Sequence, residues 1–184
     1  ISQYDEPVGG KGHLLVQMGD DRFRVGITRL HLEEDAGKLV HPENADYSLV
    51  DFNRGGTPLM EIVSEPDIKT PAHAKAYLEE LKQVVQYLGV SDADMEKGQL
   101  RCDANISLRP MGDPKLYPKT EVKNLNSFKA VERALEYEIL RQSKLWEIGT
   151  PPMVTTTRGW DEDKQITVEQ RVKEEEADYR YFPE

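Results

Sequence analysis

Phe23-Arg24-Val25-Gly26-Ile27-Thr28-Arg29-Leu30-His31-Leu32-Glu33-Glu34 is the stretch from which the fold is read. Phe23, Val25 and Ile27 alternate with polar residues, as a half-buried strand requires. The apolar phase then slips to Leu30 and Leu32. That slip predicts a bulge or bend near Thr28-Arg29, and bulges re-aim side chains beside sites. The alternation puts His31 on the face opposite Leu30 and Leu32.

Working outward, Asp20-Asp21 signals a turn, and His13 to Met18 read as a short preceding strand. Glu33 to Lys38 read as a charged loop. Tyr47 to Phe52 and Leu59 to Val63 look like two more strands, split by Gly55-Gly56. Thr70-Pro71 is a helix start, with Thr70 as N-cap and Pro71 at the first helical position. Ala74, Tyr77, Leu78, Leu81, Val84, Val85 and Leu88 form its core-facing stripe, and Gly89 stops it. Leu100 to Pro110 reads as a strand. Leu100, Cys102, Ala104, Ile106 and Leu108 share one face; Arg101, Asp103, Asn105, Ser107 and Arg109 share the other. Asp and Asn are poor strand formers, so something besides propensity favours them there. Lys119 to Leu125 returns as a strand with Glu121 and Lys123 on one face. Asn126-Ser127 caps a second helix whose buried side carries Phe128, Val131, Leu135, Ile139, Leu145 and Trp146, ending at Gly149. Val154 to Arg158 and Gln165 to Val172 form a hairpin. Strands separated by two long helices, without regular βα alternation, predict an α+β fold with a largely antiparallel sheet flanked by helices.

Composition narrows the function. The chain has 184 residues, 24 Lys plus Arg against 34 Asp plus Glu, and a formal net charge of −10. That length buries a real core in one domain of ordinary size. The acidic balance argues against nucleic-acid affinity driven by net charge alone. No uncharged apolar run approaches the roughly 20 residues that span a bilayer. The single cysteine, Cys102, excludes a disulfide scaffold and an all-cysteine zinc site within the chain. Its place on the apolar face fits a buried, inert thiol.

Three carboxylates stand out: Glu34 after the bend, Glu61 among Leu59, Met60, Ile62 and Val63, and Asp103 on a polar strand face. A carboxylate in an apolar strand is costly unless paired or bound to a cation. Magnesium takes one or two carboxylates together with phosphate oxygens and water. An ion pair of Glu61 with Arg101 or Arg109 satisfies the same pattern. Arg101, Arg109 and Lys123 have the chemistry to hold phosphate oxygens, and equally to form salt bridges. Asn53 to Thr57 permits close backbone approach to a ligand but has no Walker or GxGxxG spacing. No HExxH pair or GxSxG elbow is present. Tyr179-Arg180-Tyr181-Phe182 suits RNA stacking, a subunit contact or plain packing.

The same segments carry a resemblance. Ile1 to Pro7, Gly26 to Lys38, Asp51 to Arg54 with Gly56 to Asp67, Leu100 to Arg109, Lys123 to Ser127 and Asp178 to Glu184 occur as long phrases in order. Together they resemble the B subunits of the aspartyl/glutamyl-tRNA amidotransferase, across essentially the whole chain. The resemblance implies a fold similar to the glutamine synthetase and guanidino kinase group. It implies that ATP and Mg2+ are used to phosphorylate the side-chain carboxyl of Glu-tRNA(Gln) or Asp-tRNA(Asn). Ammonia from an A subunit then displaces the phosphate, and a C subunit holds the heterotrimer together. On these phrases Glu34, Glu61 and Asp103 map as metal ligands. Arg101, Asn105 and Arg109 map as groups on ATP or the acyl phosphate, and Lys123 as cofactor-binding. Residues 1–184 then form the central and C-terminal part of the catalytic (cradle) domain. An N-terminal segment, with a Glu and a His that help hold the metal, and C-terminal helical and tail domains that grip tRNA are expected outside it. A bacterial cytoplasm or an organellar matrix is the implied compartment. Where relatives often carry two arginines before Trp-Asp, this chain has Arg158-Gly159-Trp160-Asp161. The alternative function is an RNA- or partner-binding scaffold module.

Overall fold

A computed structural model describes residues 3–42 and 45–173. The aromatic strip at 179–182 and most of the charged run at 173–178 lie outside the described residues. The chain divides into two compact units, whose described residues are 3–15, 22–42 and 45–67 for the first, and 16–21 and 68–173 for the second.

In the first unit β1 (Gly9–Met18) pairs with β2 (Asp21–Glu34), which pairs with β5 (Pro58–Ser64), in the order β1-β2-β5. The turn end of the β1–β2 hairpin, residues 16–21, belongs to the second unit. β2 and β5 are antiparallel, with a register shift between Ile27 and Arg29 where the apolar phase slips. The bulge is anchored by the segment after β5. Gly26 N–H donates to Asp67 Oδ2 at 2.8 Å, and Thr28 Oγ1 donates to Glu65 Oε1 at 2.7 Å. Gly26 is required there, because a Cβ would lie 2.7 Å from Glu65 Cγ.

A small hairpin of β3 (Lys38–Val40) and β4 (Leu49–Asp51) forms a second sheet. Its first strand lies where a charged loop is expected, and its second is shorter than the predicted Tyr47 to Phe52. Strand pairing accounts for both differences, since residues 38–40 and 49–51 order each other.

The second unit holds α1 (Pro71–Tyr87), β6 (Ala104–Ile106), β7 (Thr120–Lys123), α2 (Phe128–Glu147), β8 (Thr155–Asp161) and β9 (Ile166–Lys173). The four strands form one sheet in the order β6-β7-β8-β9. β6–β7 and β8–β9 are antiparallel, and β7–β8 is parallel. The helices run antiparallel, with Lys75 3.3 Å from Glu132 and Lys82 over the Phe128 ring. Thr70 and Ser127 cap them as expected, and Gly89 and Gly149 adopt positive φ at their ends. The fold is α+β with mostly antiparallel pairing.

Three expectations for this unit change, and the first is Leu88, expected in the core-facing stripe of α1 but 65% exposed. The strand expected over residues 100–110 forms only as Ala104–Ile106. The fully buried positions of α2 are Ala130, Val131, Ala134 and Leu135 and then Glu138 and Gln142, while the expected Phe128, Ile139, Leu145 and Trp146 are only partly buried. Glu138 and Gln142 bury because a polar network satisfies them. Glu138 accepts from Arg141, Gln142 and Thr167 and lies 3.3 Å from Arg158 Nε.

Candidate functional site

The β2–β5 register sets His31 opposite Glu61, Glu33 opposite Leu59 and Arg29 opposite Val63. Residues two apart on a strand share a face, so Arg29, His31 and Glu33 line up beside Glu61. His31 is fully buried, whereas Leu32 is 45% exposed. The strand therefore covers its polar-looking face and leaves one leucine open. His31 Nε2 lies 2.9 Å from Glu33 Oε1 and 3.9 Å from Glu61 Oε2. One ligand atom from each of the three side chains falls within 4.8 Å of the others. Two carboxylates on one imidazole leave excess negative charge that a divalent cation could balance. Carboxylate oxygens suit Mg2+ or Mn2+, and imidazole extends the set toward softer divalent ions. His31 Nδ1 is buried without a hydrogen-bond partner. The donor set and this orphaned nitrogen fit a ligand-binding cluster better than a closed structural bridge.

Glu34 follows Glu33 and projects from the opposite face of β2; it pairs in register with Pro58. The cluster thus gathers Glu61 with Glu33 and His31. Beside it, Asp35 anchors the Asn53–Thr57 turn. Its carboxylate accepts from Arg54 Nε at 2.8 Å, and its carbonyl accepts from Gly56 N–H at 2.9 Å. The loop that permits close ligand approach is held in shape by these bonds.

In the second unit, the exposed side of the β6–β7–β8 sheet carries a second charged group. Lys123 Nζ lies 2.5 Å from Asp103 Oδ2 and 3.2 Å from Glu121 Oε1. Thr157 Oγ1 donates to Glu121 Oε2 at 3.2 Å. Burial pulls the Lys123 pKa down, but the Asp103 hydrogen bond and the two carboxylate charges outweigh it and hold it above its ordinary value. Lys123 is therefore a fixed cation, and Asp103 is its partner. Arg101 and Asn105 are exposed. Arg109 Nη1 donates to Pro114 O at 3.0 Å, closing its own loop. Cys102 is half-buried as a residue, yet desolvation, helped by the Asp103 charge, pushes its thiol up to about 12. That rules it out as a nucleophile near neutral pH. At Gly159 a Cβ would collide with the side-chain amides of Gln170 and Asn124. Both amides end flexible side chains that can move aside, so nothing in the structure explains the glycine.

His31 and Glu33 do not stand out as site residues in the sequence. Their signal is the two-residue spacing on β2, and only the pairing with Glu61 turns that spacing into a cluster.

The family model described as GatB/GatE catalytic domain matches residues 1–184. A protein of Carboxydothermus hydrogenoformans, named as the B subunit of an aspartyl/glutamyl-tRNA(Asn/Gln) amidotransferase, is 56% identical over 187 residues, covering 100% of this chain and 39% of that protein. Proteins of the same name from Geobacillus kaustophilus and a Synechococcus species are 58% and 53% identical, again over 100% of this chain and over 38% and 39% of theirs. The chain therefore spans about two fifths of the length of these relatives. Matched from end to end by the family model and at this identity by the relatives, the chain belongs to the GatB/GatE catalytic domain family.

Proposed function

We propose that this chain provides part of the ATP-dependent step of a tRNA-dependent amidation, as the part of a B-type catalytic domain spanned by residues 1–184. In this reading the side-chain carboxyl of Glu-tRNA(Gln) or Asp-tRNA(Asn) is phosphorylated, and ammonia released from glutamine by an A subunit displaces the phosphate. A C subunit completes the complex. The observation that carries the proposal is the cross-strand cluster of buried His31, half-buried Glu33 and exposed Glu61.

A carboxylate is a poor electrophile, and ATP approaches it as a second anion. A bound Mg2+ would supply charge neutralisation at the phosphoryl group. Glu61 and Glu33 would hold that ion, with His31 fixing Glu33. We assign Glu33 the role that the sequence suggested for Glu34, since Glu33 shares the face of Glu61. Lys123 is kept cationic by Asp103 and Glu121. Taken by itself, the second unit thus offers Lys123 as an anion-binding group, with Arg101, Asn105 and Arg109 as further polar groups of the same unit. No protein nucleophile is required, in keeping with the protonated Cys102.

The test uses the intact protein with its partner chains. Glu61→Gln and Glu33→Gln are each expected to cut ATP-dependent amidation at least tenfold, while tRNA binding stays within about twofold of the parent. Amidation that survives both changes would overturn the catalytic reading and favour a scaffold role.

A further inference from the structure

Arg29 lies on the face of β2 that carries the cluster, and the bulge after Ile27 sets its direction. Its Cζ lies 4.2 Å from the centroid of the Tyr4 ring. The same ring meets His31 edge-on, with centroids 6.0 Å apart. Tyr4 therefore ties the guanidinium to the imidazole of the cluster. Among the described residues Arg29 makes no ion pair, and its Nε is buried with no hydrogen-bond partner. Glu33 and Glu61 lie against His31. Stacking uses the face of a guanidinium and leaves its in-plane N–H groups for an acceptor. A desolvated charged donor with no acceptor is unfavourable, so the arrangement is complete only when an oxyanion arrives. His31 Nδ1, also orphaned, belongs to the imidazole that meets the same ring edge-on.

We propose that Arg29 is a phosphate-binding residue, which takes an oxygen of a polyphosphate whose other oxygens reach the cation held by His31, Glu33 and Glu61. The assignment rests on reading that cluster as a cation site. Phosphate is the favoured anion because a divalent ion held by two carboxylates commonly completes its shell with phosphate oxygens. Guanidinium and phosphate also match as a fork. Tyr4 is a positioning residue that keeps the fork beside the cation.

The test again uses the intact protein. Mn2+ is titrated alone by electron paramagnetic resonance, and tripolyphosphate or ATP is then titrated with Mn2+ present. Arg29→Gln is expected to leave Mn2+ affinity within about threefold and to weaken both polyphosphates at least tenfold, the loss of one charge-assisted contact. Arg29→Lys should recover part of that loss. Unchanged tripolyphosphate affinity in Arg29→Gln overturns the proposal, as does weakening confined to ATP, which would place Arg29 on the nucleoside. Should Arg29→Gln fail to fold, the Nε–H resonance of Arg29 in the parent protein, identified by its loss in Arg29→Lys, replaces it. A shift on adding tripolyphosphate with Mg2+ supports the proposal, and an unmoved resonance overturns it. Mn2+ affinity unchanged by Glu61→Gln would instead sink the cation reading. Arg29 is then judged on tripolyphosphate titrated without metal, where Arg29→Gln must still weaken binding.

Discussion

Glu138 has no route to water, so its neighbours set its charge. Its side chain is fully buried in α2. Arg141 grips both carboxylate oxygens at 2.8–3.1 Å, and Gln142 and Thr167 add hydrogen bonds. Burial raises its pKa, but these bonds and the Arg141 charge outweigh that and hold it below the usual carboxylate value. Removing one partner of such a set strands the others. Glu138→Ala leaves the Arg141 guanidinium, 23% exposed at its side chain, and the Thr167 hydroxyl without that acceptor, and Arg158 without its buried counter-charge. The expected cost is about 3–5 kcal/mol, the range for breaking a buried pair, read from urea unfolding. Glu138→Gln should cost less, because the amide oxygen still accepts. If Glu138→Ala unfolds with the parent's midpoint and slope, the network contributes nothing. The sequence hid this residue, because a Glu inside an apolar helical stripe looks like a solvated position until Arg141, Arg158 and Thr167 are known to converge on it.

At the level of elements, legibility followed how local each signal is. The helix starts were readable because a cap is made by residues three apart. Thr70 Oγ1 accepts from His73 N–H at 3.1 Å, and Ser127 Oγ accepts from Ala130 N–H at 3.0 Å. Thr70→Ala and Ser127→Ala should each cost about 1 kcal/mol, with Asp or Asn at either position restoring most of it. Urea midpoints of these variants check this, and an alanine variant as stable as its parent would show that cap to be idle. Strand lengths were less readable, because a strand needs a partner. Leu100 to Pro110 has the right alternation throughout, yet β7 offers only Thr120–Lys123, and pairing covers Ala104–Ile106 alone. The bulge at Thr28-Arg29 was legible from the apolar slip. The choice between Glu33 and Glu34 was not, since adjacent acids fall on opposite faces and only the β5 register says which meets Glu61.

For the whole molecule, the ionisable groups predict how stability varies with pH. The Lys97 ammonium holds Asp94 below its ordinary 3.8, and backbone N–H groups of Lys115 and Lys164 do the same for Asp113 and Asp161. Glu138 is held below 4.5. For a depressed carboxyl the unfolded chain binds the proton first as acid is added. The stabilisation is therefore complete above the unfolded value and fades as pH falls through the folded one. An acid arm should open below about pH 4.5. Cys102, Tyr77 and Lys123 are all raised, the first from 9.0 to about 12. Their contribution is complete below the unfolded values and is lost as pH climbs, so an alkaline arm should open near pH 9. Between the arms the net charge of −10 adds self-repulsion as pH rises from the isoelectric point near 5.0. Salt at about 0.15 M screens it beyond roughly 8 Å, so that slope should flatten with salt while the arms persist, because they come from short or buried contacts. Thermal midpoints between pH 3 and 11, at low and physiological salt, check the shape. Cys102→Ala should flatten the alkaline arm specifically, because it removes the group with the largest upward shift. An alkaline arm unchanged in Cys102→Ala would mean that the thiol is hydrated and that Lys123 and Tyr77 carry the fall.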